Sequence, residues 1–186
     1  MQSAAGNQEQ ALVAKVVAGD RHAFTQLVEP HIPRLLTTSI RMLGDREEAE
    51  DAVQNALASV WLARARLDPS RPVLPFLATI TLNKCRDKLR RRKAARFLGF
   101  GDAPEPELSP DPTPSPEAET VDRQLLRRTR KEIERLPLRL REALILVAID
   151  GHTQREAAEI LGVSEKAVES MVYRARRTLK EKVPLE

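Results

Sequence analysis

Two stretches of this sequence concentrate its hydrogen-bond donors and fixed positive charge. Thr153 to Arg177 reads TQREAAEILGVSEKAVESMVYRARR, and Asn83 to Arg96 reads NKCRDKLRRRKAAR. The second stretch sets eight basic residues against one acid, Asp87. Cations at this density neutralise phosphates, and amide or guanidinium groups beside them hydrogen-bond base edges. The chemistry on offer is recognition of a polyanion rather than the making of bonds. His22, His31 and His152 are scattered, and none neighbours a plausible Ser or Cys nucleophile, so no catalytic set and no cofactor are expected. Cys85 is the only cysteine, which excludes an intramolecular disulfide and a thiolate metal site. It lies on an apolar helix side and is expected in a core.

The first stretch must be held by two short helices. Thr153 can cap QREAAEIL, and Glu156 three residues on completes a capping box. Gly162 supplies a sharp turn, Val163 is expected to point inward, and Ser164 caps the next helix. In that helix Val168, Met171, Val172, Ala175 and Leu179 form an inward stripe. Lys166, Glu169, Ser170, Tyr173, Arg174 and Arg177 remain on or beside the opposite face. Small Ala157 and Ala158 let the two helices approach closely. The pattern is a helix-turn-helix whose second helix would enter a DNA major groove.

The second stretch continues a helix expected from Phe76 towards Phe97. Ile80, Leu82, Cys85 and Leu89 make its apolar side, whereas Asn83, Asp87, Arg90 and Arg91 share a face. Upstream, GDREEAEDAVQNALASVW gathers Asp45, Glu47, Glu48, Glu50 and Asp51 at a helix start, where the dipole favours negative charge. Helix stabilisation alone would account for these acids. An acidic helix beside a basic one also suits a domain that meets both DNA and a basic protein.

Across the 186 residues, hydrophobic residues make up 41% and aromatics only 3%, so the core must be aliphatic. Residues 97–122 hold seven acids and no Lys or Arg, and six of the chain's 13 prolines fall between 104 and 116. Such a stretch is expected to be extended or disordered. Further helices are read over Gln8–Ala18, RHAFTQLVEP, RLLTTSIRML, 118–136 and LRLREALILVAID. LDPSRPVLP is expected to be a loop, with Pro69, Pro72 and Pro75 preventing a regular helix. The expected fold is all-α, with two small helical domains at 1–98 and 120–186 joined by an acidic Pro-rich linker at 99–119. The longest apolar run, Ala143–Ile149, is too short to span a bilayer, and MQSAAGNQEQ lacks the regions of a signal peptide. A cytoplasmic protein without direct membrane contact is expected.

These residues carry a family resemblance. The chain resembles the extracytoplasmic-function sigma factors, the minimal bacterial class with only sigma regions 2 and 4. GDREEAEDAVQNALASVW is similar to the family's polymerase-binding helix, and FLATITLNKCRDKLRRRK to the helix that meets the −10 element. LPLRLREALILVAIDGHTQREAAEILGVSEKAVESMVYRARRTLKEKV is similar to the −35-binding domain over its whole length. The resemblance implies core RNA polymerase as partner, through its β′ clamp helices and β flap, with promoter DNA and an anti-sigma factor as the others. It places Asp45, Glu48, Asp51 and Gln54 on the β′ clamp helices, with Asn55 where an acid is common. It places Asn83 on the −10 element, with Asp87, Arg90, Arg91 and Lys93 along the same helix. LDPSRPVLP matches the loop that captures an unstacked base. Lys166, Glu169, Ser170, Tyr173, Arg174, Arg176 and Arg177 fall where the −35 duplex is read or its phosphates gripped. Glu169 stands at a position often Lys or Arg, where a carboxylate would either accept from a cytosine amino group or repel phosphate.

On this reading the linker has a physical task. About 21 residues in an extended form reach roughly 65 Å at about 3.1 Å each, close to two duplex turns of about 34–36 Å. The acidic strap would thread the basic RNA-exit path of the polymerase. A dimeric helix-turn-helix regulator that reads a palindrome is the competing expectation, and a small enzyme or RNA-binding adaptor a further one.

Overall fold

Capping side chains and left-handed glycines set where several of the helices begin and end. The structure, a computed structural model, describes residues 2–98 and 121–183; the acidic Pro-rich segment lies outside them, and with it the expectation for the linker. Among the described residues every regular element is helical. They divide into two compact units, one on each side of that segment.

In the first unit, α1 (Gln2–Val17) starts earlier than the expected Gln8. Asp20 caps α2 (Arg21–Val28): its Oδ1 accepts from the backbone N–H groups of His22 at 2.9 Å and Ala23 at 3.0 Å. Pro30 does not interrupt the chain for long. A single 3₁₀ turn, Glu29–His31, leads straight into α3 (Ile32–Leu43), with Pro33 in its first turn. Gly44, at φ 75°, ends α3 in the left-handed conformation. Asp45 then caps α4 (Arg46–Leu62), accepting from the N–H of Glu48 at 2.8 Å.

The expected loop is shorter than its prolines implied. Only 67–72 stays free of regular helix, and α5 (Val73–Phe97) takes in Pro75 as its third residue. The first-turn N–H groups of a helix have no intrahelical acceptor, so a proline there forfeits no hydrogen bond. Pro72 offers no side-chain cap; the N–H of Val73 donates instead to Oε1 of Glu9 on α1, at 2.8 Å.

The core of this unit is aliphatic. Ala49, Ala52 and Ala56 give α4 a buried face of small residues against which α3 and α5 close in. Val13, Val16, Leu27, Leu35, Met42, Leu77 and Leu82 fill the remaining space. Cys85 is fully buried, and its thiol donates to Oγ of the equally buried Ser39 at 3.6 Å.

In the second unit, α6 (Val121–Arg135) and α7 (Leu138–Leu144) flank Pro137. The apolar run Ala143–Ile149 does not finish as a plain α-helix. It widens into a π turn, Ile145–Ile149, in which the N–H of Asp150 donates to the Ile145 carbonyl at 2.8 Å. Ile145 and Leu146 are buried by this turn. Then come α8 (Gln154–Leu161) and α9 (Glu165–Lys182). Leu136, Leu144 and Ala175 pack together, with Ile133, Leu140 and Leu179 around them. Glu142 is fully buried on α7, with Arg139 Nη1 3.6 Å from its carboxylate.

Candidate DNA-binding and polymerase-docking surfaces

The α8–α9 pair is built as its residues require. The Thr153 hydroxyl accepts from the N–H of Glu156 at 3.2 Å, and the Glu156 carboxylate accepts from the N–H of Thr153 at 2.8 Å, closing the capping box. Gly162 lies at φ 67° and ψ 41°, which turns the chain within one residue. Val163, expected inward, is half-buried, and its N–H donates to the Ala158 carbonyl at 3.0 Å. Ser164 caps α9 through the N–H of Ala167 at 3.2 Å. Val168, Met171, Val172 and Ala175 are buried, so α9 turns its other side to solvent.

That outer side carries the residues expected there. Lys166, Glu169, Ser170, Tyr173, Arg174, Arg176 and Arg177 are all exposed, Tyr173 with 65% of its surface. Arg177 is held lightly by Glu181 at 3.2 Å, an exposed i,i+4 pair that a phosphate can displace. The Arg174 Nε donates to the Ser170 carbonyl at 3.3 Å, which sets the guanidinium along the helix.

On α5, Asn83, Arg90, Arg91 and Lys93 are exposed and Asp87 is half-buried. Asn83 Oδ1 accepts from Arg86 Nη1 at 2.7 Å, so the amide N–H groups are the part of Asn83 left for a base. Asp87 pairs with Arg90 on the same helix. By their spacing Asn83, Asp87, Arg90 and Arg91 share one face of α5, with Lys93 to its side, and two of the charges on that face are set against each other.

The acids of α4 are not equivalent. Asp45 is committed to its cap. Glu48 turns towards α5: Arg92 Nη2 lies 2.6 Å from its Oε2, and Arg92 Nε donates to its Oε1 at 3.0 Å. Asp51 Oδ2 lies 2.5 Å from Lys88 Nζ, and its Oδ1 accepts from Asn55 Nδ2 at 2.8 Å. The Lys88 ammonium, with Asn55 assisting, holds the Asp51 carboxyl below the ordinary range. Glu47 and Gln54 are exposed, and Glu50 pairs with Arg46 at 2.9 Å. Glu47, Glu50, Asp51, Gln54 and Asn55 are the exposed acids and amides of α4.

Sequence reading overlooked Lys88 and Arg92 as partners of these acids. The signal was present: Thr81, Cys85, Lys88 and Arg92 follow at i, i+4, i+7 and i+11, which puts both cations on the packed side of α5. It also overlooked Arg64. That guanidinium stacks 4.6 Å from the Trp61 ring centroid, while its Nη1 donates to the Trp61 carbonyl at 3.1 Å. Arg21 approaches the same ring at 5.6 Å, and Phe24 meets it edge-on at 5.4 Å. The adjoining 67–72 stretch is fastened by Asp68, whose Oδ1 accepts from the backbone N–H of Ser70 at 2.8 Å and from its hydroxyl at 2.7 Å.

A helical unit with an acidic and a basic surface, followed by a capped helix-turn-helix, defines a nucleic-acid-binding protein that also docks on another protein. Residues 27–95 match the model for Sigma-70 region 2, and residues 126–179 the model for Sigma-70, region 4. The chain is 39% identical over 173 residues to RNA polymerase sigma factor NccH of Alcaligenes xylosoxydans xylosoxydans, covering 92% of each chain. It is 36% identical to RNA polymerase sigma factor CnrH of Cupriavidus metallidurans, again over 92% of each. Among solved structures, CnrH in complex with the cytosolic domain of CnrY matches at a TM-score of 0.69 and 32% identity, over 94% of this chain and 96% of that one. The sigma factor RpoE in complex with the anti-sigma factor NepR, from Bartonella quintana, matches at 0.66 and 26% identity, over 88% and 98%. This chain belongs to the sigma-70 family of RNA polymerase sigma factors, in its extracytoplasmic-function class.

Proposed function

We propose that this chain is a cytoplasmic initiation factor that brings core RNA polymerase to promoters by reading two elements, with no catalytic chemistry of its own. Asp51, Gln54 and Asn55, with Asp45 and Glu48 shaping the start of α4, meet the β′ clamp helices. Asn83, with Asp87, Arg90, Arg91 and Lys93, meets the −10 element and helps to open it. Lys166, Glu169, Ser170, Tyr173, Arg174, Arg176 and Arg177 meet the −35 duplex. The second unit, from about residue 120, also docks on the β flap. No helix among the described residues is long and apolar enough to cross a membrane.

The observation that carries this reading is the seam of α4 against α5, where an acidic and a basic surface lie on adjoining helices of one small bundle. A DNA reader acting alone needs the basic surface but not the acidic one. An anti-sigma factor is the expected regulator, since two of the similar structures are sigma factors held by other proteins.

Run-off transcription with purified core enzyme, followed by start-site mapping, tests the reading. The expected result is initiation at a restricted set of promoters sharing −10 and −35 elements, and no tight promoter binding without core. Unaided binding to a symmetric operator, with no association with core, would overturn it in favour of a dimeric regulator.

A further inference from the structure

Lys88 occupies the edge of α5 where the polymerase-facing and DNA-facing surfaces meet. Its Nζ lies 2.5 Å from Asp51 Oδ2, and its side chain keeps 22% of its exposure against 54% for Asp51. Lys84 precedes it by four residues and Arg91 follows by three, so the three cations line one edge of the helix. The two cations that α5 sends towards α4 are held differently. Arg92 is fixed by three contacts, two to Glu48 and one to the Leu43 carbonyl at 2.8 Å. Lys88 is held by Asp51.

The carboxylate of this pair is more than half exposed, so solvent screens it on that side and a competing ion can reach it. The lysine head sits on a flexible four-carbon stem and can follow a new partner. A cation arriving at Asp51 from solvent would compete with Lys88 for the same carboxylate.

We propose that Lys88 is a phosphate-binding residue held in reserve: Asp51 neutralises it in the free protein, and when a cationic surface of the polymerase takes Asp51, Lys88 passes to the promoter backbone. This rests on Asp51 facing the polymerase, as read above. The handover makes the two partners cooperative, because whatever polymerase binding adds to DNA affinity, DNA adds to polymerase affinity. It also predicts that the free chain binds DNA more weakly than the holoenzyme does, with no change of fold.

Lys88→Met, Lys88→Arg and Asp51→Asn in the full chain test the handover. Core affinity is measured by titration, and promoter affinity of the holoenzyme across a range of salt concentrations. Lys88→Met should bind core about two- to fivefold more tightly, because Asp51 no longer has to leave an internal partner. Its holoenzyme should show a salt slope smaller by about 0.7–0.9, the share of one phosphate contact, while Lys88→Arg keeps the original slope. An unchanged slope in Lys88→Met, or weaker core binding, would assign Lys88 to packing and overturn the handover. If Asp51→Asn bound core as tightly as the parent, the trigger would be absent and the handover would fall, with holoenzyme formation untouched. Failure of the parent chain to assemble with core would remove the functional reading itself.

Discussion

Arg92 on α5 reaches Glu48 on α4 through two nitrogens, at 2.6 and 3.0 Å, and spends its third on the Leu43 carbonyl at the end of α3, at 2.8 Å. One side chain thus ties three helices at the point where the acidic and basic surfaces meet. Arg92→Ala should destabilise the first unit by about 1–2 kcal/mol, the low end for hydrogen bonds to charged groups because the site is partly wet. Arg92→Lys should recover only part of this, since an ammonium cannot reproduce a planar three-way fork. Trp61, the only tryptophan, reports unfolding of this unit by fluorescence.

The turn between α8 and α9 depends on Gly162 at φ 67°, where an added Cβ would meet nothing within 4 Å. The cost of Gly162→Ala should therefore be backbone strain alone, about 1–2 kcal/mol. Gly162→Asn should cost less, because Asn tolerates the left-handed region. Thermal melts of the two variants give the comparison, and promoter recognition at the −35 element should fall in step with stability.

On α9, Arg174 and Glu169 should separate gripping from reading. Arg174→Ala is expected to weaken binding to all −35 sequences alike and to reduce the salt dependence. Glu169→Gln should shift the preferred base at one −35 position, by about 1–3 kcal/mol of discrimination, because a carboxylate suits the cytosine amino group whereas an amide suits adenine. Selection from a randomised −35 library distinguishes this from phosphate repulsion, in which the variant binds every sequence more tightly with no change of preference.

Burial lowers the pKa of His31 below its usual 6.5; nearby Glu9 opposes the shift, and Arg34 adds to it. The folded state therefore takes up a proton less readily than the unfolded chain. The neutral imidazole's contribution is fully present above about pH 6.5 and is lost as pH falls from there towards the folded value. Denaturation followed by Trp61 fluorescence should show a lower midpoint at pH 5.5 than at pH 7.5, a difference reduced in His31→Gln. Asp20, Asp51 and Asp68 have carboxyl pKa values held below 3.8 by their hydrogen bonds, so their losses come only at more acid pH.

What could be read from the sequence was mostly what neighbouring residues decide among themselves. Thr153 with Glu156, Gly162 and Ser164 mark helix ends through contacts spanning a few residues, the acids from Asp45 onward mark a helix start, and the inward stripe of α9 follows from its period alone. Pro75 misled because its effect depends on where in the helix it falls, and the start of α5 is set by Glu9, 64 residues away. The π turn at Ile145–Ile149 has the same apolar composition as an α-helix, so its pattern carried no warning. For the candidate surfaces, types and faces were legible, but the inward turn of Glu48 was not. Its partner lies 44 residues on, and nothing local distinguishes it from the exposed Glu47.

The bond from the Val73 N–H to Glu9 also bears on how this protein should be cut. The family match begins at residue 27, which would tempt an experimenter to trim everything before it. Such a fragment would discard the acceptor that seats the first turn of α5, together with Val13 and Val16 from the core. The helix bearing Asn83 would then begin with a loose end, and a weak signal for the −10 element from that fragment would reflect the scissors rather than the protein.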